Sequence, residues 1–186
     1  MKRIAVVILA ALLLAGCTGK RDELDRAMNL RVQLLACEAV TFDAAITADY
    51  GDSLSSFRLA CRGDNDGNLT FEVKEPESIS GITGSFTGEK GMLTFDDAAL
   101  EFPLLADGQV TPVSAPWIFL KTLMGGYLTA CSSEGDVTRL TIHDSYEEDA
   151  LQLEIWLSGE DAPIQGEILY EDRRILTMEI ENFQIQ

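Results

Sequence analysis

The chain contains a single histidine, His143, and this bounds the chemistry it could perform. A general base needs a positioned partner and usually a cleft. His143 alternates with Ile142 in a strand-like stretch, which turns its ring away from the apolar side. No serine stands in a nucleophile-elbow setting, so any Ser-His-Asp or Cys-His pair would have to be built on that one outward ring. Asp64, Asp66, Asn68 and Glu75 occupy positions 1, 3, 5 and 12 of a calcium loop. Position 6, where the sharp turn needs glycine, is Leu69, and a hairpin turn rich in Asp, Asn and Gly accounts for the same residues. Gly81, Gly84, Gly88 and Gly91 are not followed by the Lys-Ser/Thr pair of a phosphate loop. They read as a curved hairpin or a flap. No CxxC or Cys/His cluster occurs among Cys17, Cys37, Cys61 and Cys131. No catalytic residue, metal or cofactor is therefore expected, and the chain reads as non-enzymatic.

One cysteine stands in a chemically suggestive setting. Lys2 and Arg3 precede an unbroken apolar run from Ile4 to Leu14. A permanent transmembrane helix needs about 20 apolar residues, so the run is too short to span, but it suits the apolar segment of a secretory signal. Leu14-Ala15-Gly16-Cys17 follows. This set resembles the lipobox of bacterial lipoproteins. The resemblance implies cleavage before Cys17 and a diacylglycerol on its sulfur, with palmitate-type chains as the membrane anchor. One acyl chain holds marginally and two or more hold firmly. Residues 1–16 then form a signal peptide, 17–21 a lipidated tether and 22–186 a single domain on the extracytoplasmic face of the cell membrane.

The charge agrees with tethering and excludes some partners. The formal net charge is −17, and residues 1–16 carry Lys2 and Arg3 but no acid, so the remainder stands at −19. The acid is spread along the chain and repels nucleic acid, which is not expected as a partner. Cys37, Cys61 and Cys131 cannot all pair within one chain. Export permits a disulfide, and one disulfide and buried free thiols both fit.

The elements follow from periodicity. Leu24, Met28, Val32 and Leu35 recur at helical spacing after Asp22. From Val40 the period becomes two. A hairpin about Gly51–Ser53 sets Ile46 opposite Phe57, Ala44 opposite Leu59 and Phe42 opposite Cys61. The next turn sets Cys61 opposite Leu69 and Leu59 opposite Phe71. Later turns pair Phe86 with Leu93, Phe95 with Leu100, Ile142 with Leu153, Leu157 with Ile164, Leu153 with Ile168 and Ile168 with Met178. Ser114 can cap a helix whose first turn holds Pro116, and Gly125-Gly126 would end it. That segment, Trp117 to Met124, is apolar almost all round and so belongs inside. The fold class is mainly β with helices (α+β): a curved antiparallel sheet or unclosed barrel of about ten strands, six before the middle and four after. Helices near 22–36 and 115–124 cover it.

Two stretches, "GNLTFEVKEPESISGITGSF" and "EDAPIQGEILYEDRRILTMEIENFQI", resemble strand-proline-strand and late-hairpin segments of the LolA/LolB-like lipoprotein carrier superfamily. The resemblance extends over roughly residues 22–186. It implies an unclosed barrel with helices across its mouth as a lid over an apolar cavity. The residues expected to meet a lipid or acyl chain there are Phe42, Phe57, Phe71, Phe86, Trp117, Phe119 and Met124. The alternative is a non-catalytic scaffold that holds a protein partner, of envelope or spore-germination type, at the membrane.

Overall fold

The computed structural model describes residues 19–51, 53–88, 90–96, 98–102, 105–106, 109–147 and 150–186. Residues 1–16, expected to be a signal peptide, and Cys17 lie outside them. Helix α1 is Gly19–Ala36, and β1 to β6 are Val40–Asp49, Leu54–Gly63, Leu69–Glu75, Thr83–Thr87, Lys90–Phe95 and Ala98–Phe102. A short pair, β7 (Leu105–Ala106) and β8 (Gln109–Val110), precedes α2 (Ala115–Gly125). Strands β9 to β13 follow at Tyr127–Glu134, Val137–His143, Gln152–Leu157, Pro163–Tyr170 and Arg173–Ile185. The α1 helix starts three residues before Asp22, within the stretch read as tether.

Eleven strands form one antiparallel sheet in the order β6-β5-β4-β3-β2-β1-β13-β12-β11-β10-β9. The sheet is two meanders joined back to back. The first and last long strands meet at its centre, with Ala44 facing Ile180 and Ile46 facing Met178. The edge strands β6 and β9 do not pair with each other, so the barrel stays unclosed. This is the architecture that the carrier resemblance implies. This sheet holds one strand more than the ten or so expected, and the short β7–β8 pair lies outside that count. The missed one is β9, whose residues are mostly exposed and so lack the apolar alternation that marks a half-buried strand.

Register separates into two classes. The β1–β2 pairing of Phe42 with Cys61, Ala44 with Leu59 and Ile46 with Phe57 is as the alternation predicts. So are Ile142 with Leu153 and Leu153 with Ile168. Elsewhere the pairing is displaced. Cys61 faces Phe71 and Leu59 faces Val73. Phe86 faces Gly91, Leu93 faces Leu100, and Ile168 faces Leu176. A bulge beyond Trp156 brings Leu157 opposite Pro163, which leaves Ile164 exposed. The displaced hairpins β4–β5, β5–β6 and β12–β13 close through two-residue turns, since Thr87 faces Lys90, Phe95 faces Ala98 and Tyr170 faces Arg173. Positive φ at Gly88, Asp96, Glu171 and Asp172 gives these turns a twist that matches the strands.

The β2–β3 turn is built on Asp64. Its carboxylate accepts N–H groups from Asp66 at 3.0 Å and Asn68 at 2.9 Å, and the Asn68 side-chain amide at 2.9 Å. The carboxylate of the suspected calcium loop is thus committed to its own backbone. Burial pushes the Asp64 carboxyl upward, but the Asn68 side chain and the N–H groups of Asn68, Asp66 and Gly67 outweigh it and hold it below its ordinary value. A lowered native value means stabilisation that is present above the unfolded carboxyl range and lost as pH falls through the native one. Asp64→Ala is expected to lower unfolding free energy by about 1 kcal/mol at neutral pH. In urea titrations below about pH 4 the gap between wild type and variant should shrink.

Helix α2 covers the inner face. Of its eleven residues only Lys121 and Gly125 are exposed. Ser114 precedes it, but its hydroxyl donates back to Thr111 O at 2.7 Å and makes no side-chain cap bond. A 3-10 turn, Pro112–Ser114, runs straight into the helix instead. Gly126 N donates to Thr122 O at 2.8 Å and ends it. In α1, the inward face is Ala27, Leu30 and Leu34; the Leu24, Met28, Val32 and Leu35 stripe faces out. Two arginines fasten α1 to the body. Arg26 bonds Asp161, Thr138 Oγ1 and Ser158 O. Arg31 donates to Leu123 O at 2.8 Å and Gly126 O at 2.7 Å, at the carbonyl end of α2, where the helix dipole favours a cation.

Candidate functional site

The residues proposed from sequence collect beneath α2 in two aromatic groups. Phe71, Phe86 and Trp117 form one, with centroids 5.9 Å apart for Phe71–Phe86 and 5.6 Å for the stacked Phe86–Trp117 pair. Phe102 joins edge-on to Phe86 at 5.3 Å. Phe42 and Phe119 form the other at 6.0 Å, with Phe183 6.0 Å from Phe42. Met124 is buried near the end of α2. Phe57 sits apart, half-buried on β2 opposite Ile46. Phe102 and Phe183 were not singled out from sequence. Phe102 continues the inward alternation of β6 at the end of that strand, but Phe183 does not continue that of β13. There Leu176, Met178 and Ile180 point inward, and the bulge at Asn182 shifts the period by one, so the side taken by Phe183 was not legible from alternation.

Local chemistry explains the grouping. Gly84 and Gly91 lie where a side chain would collide with a ring. A Cβ on Gly84 would meet Phe71 Cζ at 2.3 Å, and one on Gly91 would meet Phe102 Cζ at 2.5 Å. These glycines seat aromatic rings over the sheet, a packing device known to support edge strands. The Trp117 indole N–H donates to Gly67 O at 3.0 Å, which ties the start of α2 to the Asp64 turn. On its other side the Lys121 ammonium stands 4.7 Å from the ring centroid.

The space under α2 is filled. Phe86, Phe119, Leu120 and Leu123 are 0% exposed and Trp117 is 3% exposed. A side chain bordering a void wide enough for an acyl chain would keep accessible surface, and these keep essentially none. Among the described residues the inner face is uncovered toward β5 and β6, where Leu93 is half-buried and Phe95 and Leu100 are 55% and 65% exposed. An open groove of about 480 Å³ lies on the opposite, outer face. It spans β13, β1, β2 and β3 and is lined by Asp43, Arg62, Glu72, Asn182 and Gln184, among others. It marks the bulge at Asn182, whose side chain donates to Asp43 Oδ2 at 2.7 Å from a positive φ.

Polar and titratable groups are placed structurally. His143 ends β10 between Gln152 and Tyr127 of its neighbours. The buried Glu154 on the outer face accepts bonds from Arg139 and from Gln152 Nε2 at 2.8 Å. The bond to Glu154 raises the Arg139 guanidinium further, and that group lies 5.4 Å from the Trp156 ring centroid. Cys37, Cys61 and Cys131 are free thiols. Burial, with the charge of Asp43, pushes the Cys61 thiol far above its ordinary value, which favours its protonated form. Among the described residues no three His, Cys, Asp or Glu side chains converge to hold a metal ion. Among them, too, no helix is long and apolar enough to cross a membrane.

No protein-family model matches the chain, and no curated protein matches its sequence. Solved structures do. An outer membrane lipoprotein-sorting protein domain from Vibrio parahaemolyticus aligns over 90% of this chain and 94% of its own, with 6% identity and a TM-score of 0.49. A LolA superfamily protein from Nitrosomonas europaea aligns over 86% and 93%, with 11% identity and a TM-score of 0.44. A chain in the complex of the CwlD amidase with the GerS lipoprotein from Clostridioides difficile aligns over 88% and 96%, with 14% identity and a TM-score of 0.42. The functional reading rests on this chain's own geometry.

Proposed function

We propose that this chain is a membrane-tethered extracytoplasmic binding domain that works by holding a protein partner and not by chemistry. Acylation of Cys17 supplies the tether. The observation that supports holding a protein rather than a lipid is the filled interior: the aromatic side chains that would line an acyl pocket occupy it themselves. A partner would then meet the domain on its surface or at an open strand edge, since β6 and β9 each have one unpaired side in the sheet. A second reading, an acyl chain or other apolar ligand held between sheet and helices, is favoured by Leu93, Phe95 and Leu100 at the uncovered end of the inner face. In that case the ligand would enter beside Phe71, Phe86 and Trp117 and push toward Phe42, Phe119 and Met124, with Phe57 outside the contact.

Two measurements test this. Cells expressing the full chain are expected to incorporate labelled palmitate into the wild type and none into Cys17→Ser, with residues 1–16 removed only in the wild type. An unlabelled wild-type product would sink the tether. Native mass spectrometry of the purified protein is expected to give the mass of the acylated chain alone. A reproducible added lipid mass, competed by an apolar dye, would move the reading to the apolar ligand.

A further inference from the structure

We propose that the outer face of α1 is a lipid-surface contact, a stripe of apolar side chains laid in the membrane interface beside the anchor. This rests on the acylation of Cys17. Helix α1 is apolar on two sides. Ala27, Leu30 and Leu34 are buried against the body, whereas Leu24, Met28, Val32 and Leu35 are 44%, 44%, 62% and 53% exposed. At 3.6 residues per turn these four fall within about 80° of one another, and about 120° from the buried set. Single exposed apolar residues are ordinary, but a contiguous exposed stripe marks an interaction surface.

Reach and charge identify the partner as lipid. Only Thr18 separates Cys17 from Gly19, where α1 begins, and two chain links span at most about 7 Å. The anchor therefore holds the start of α1 at the bilayer. Along the axis Leu24 lies about 8 Å from Gly19 and Leu35 about 24 Å. A helix standing on end would lift Val32 and Leu35 clear of the lipid, whereas one lying flat sinks all four. Interfacial helices bury such a face about 5–10 Å deep. Residues 17–38 carry four basic and four acidic side chains, while residues 39–186 carry eight basic and twenty-seven acidic. The whole net charge of −19 thus belongs to the body, which anionic headgroups repel, and none of it to α1. Apolar surface and charge orient the molecule the same way, with α1 down and the sheet away from the membrane. Because Arg26 and Arg31 lock α1 to β10, the β11–β12 turn and the end of α2, a flat α1 fixes the orientation of the whole domain.

The test uses the full chain, processed in cells, extracted and reconstituted into vesicles of phosphatidylethanolamine and phosphatidylglycerol that carry a nitroxide-labelled lipid. Met28→Trp and Val32→Trp place a reporter at exposed positions, and Thr70→Trp is a control on the outer sheet face. After subtraction of wild-type emission from Trp117 and Trp156, the reporters at 28 and 32 are expected to lose emission to the nitroxide and the one at 70 to keep it. Acylated, vesicle-bound chain with no quenching at 28 or 32 overturns the contact and leaves the anchor standing. The same result with a dimer mass, or a co-reconstituted protein protecting the stripe, overturns it in favour of a protein interface. A Cys17 peptide without acyl mass overturns both.

Discussion

Phe86→Ala is expected to destabilise the domain by about 3–5 kcal/mol, the range for truncating a buried phenylalanine. Phe86 is fully buried and is the one ring that touches Phe71, Phe102 and Trp117 together. Its removal deletes three aromatic contacts, among them the stacked one that joins β4 to α2. Domains have about 5–15 kcal/mol of stability in total, so the melting temperature should fall by roughly 10 °C or more. Leu100→Ala, at a 65% exposed position on the same face, should change stability by less than about 0.5 kcal/mol. The hole left by Phe86 is walled by rings and glycine, and apolar cavities of this kind stay dry and take up small hydrocarbons. Benzene should therefore raise the melting temperature of Phe86→Ala and leave the wild type unmoved. A wild type that is stabilised equally would show that its interior already has room, which would return the acyl-ligand reading to first place.

The faces of the strands could be read from the chain far better than their pairing. Alternation has a period of two, so it assigns Leu59, Phe71, Phe86, Leu153 and Ile168 to one side of the sheet, and all five are buried there or beneath α2. A displacement of two residues leaves every side chain on its own face. Hydrophobic pattern alone cannot tell Cys61 opposite Leu69 from Cys61 opposite Phe71. What decides is turn chemistry: the Asp64 carboxylate gathering Asp66 and Asn68, and positive φ at Gly88, Asp96, Glu171 and Asp172. The aromatic residues under α2 were legible because large apolar side chains in an all-apolar helix have nowhere else to go. The state of the space between them was not, since a filled core and a lined pocket use the same residue types. In α1 the helical period was visible, but two apolar stripes competed. The smaller one, Ala27, Leu30 and Leu34, faces the body because Arg26 and Arg31, on either side of it, reach Thr138, Ser158 O, Leu123 O and Gly126 O. No pattern within α1 itself encodes those carbonyl positions.

The adjacent glycines at the end of α2 should respond with opposite signs. Gly125 is the last helical residue, and a Cβ built on it meets nothing within 4 Å. Gly125→Ala lowers the entropy of the unfolded chain without strain in the folded one, and should stabilise by about 0.4–1 kcal/mol. Gly126 is the pivot at which the chain leaves α2 and enters β9 against β10. A Cβ there would stand 2.7 Å from Thr122 O, 2.8 Å from His143 O and 2.7 Å from Ile142 Cγ2. Two of these neighbours are backbone carbonyls of different elements, so no rotamer change relieves the clash. Moving either means breaking the Gly126 N–H bond to Thr122 O or parting β9 from β10. The Gly126 carbonyl also accepts from Arg31, so displacement of the pivot loosens α1 as well. Overpacking of this kind costs about 1–3 kcal/mol, occasionally more, and the upper end is expected here. Urea denaturation of Gly125→Ala and Gly126→Ala should show the two opposite signs, and because the sites are chain neighbours at one helix end the double variant is expected to depart from additivity. A neutral Gly126→Ala would mean that α2 and β9 are free to shift relative to each other. The seal over the inner face would then be loose enough to open for a ligand.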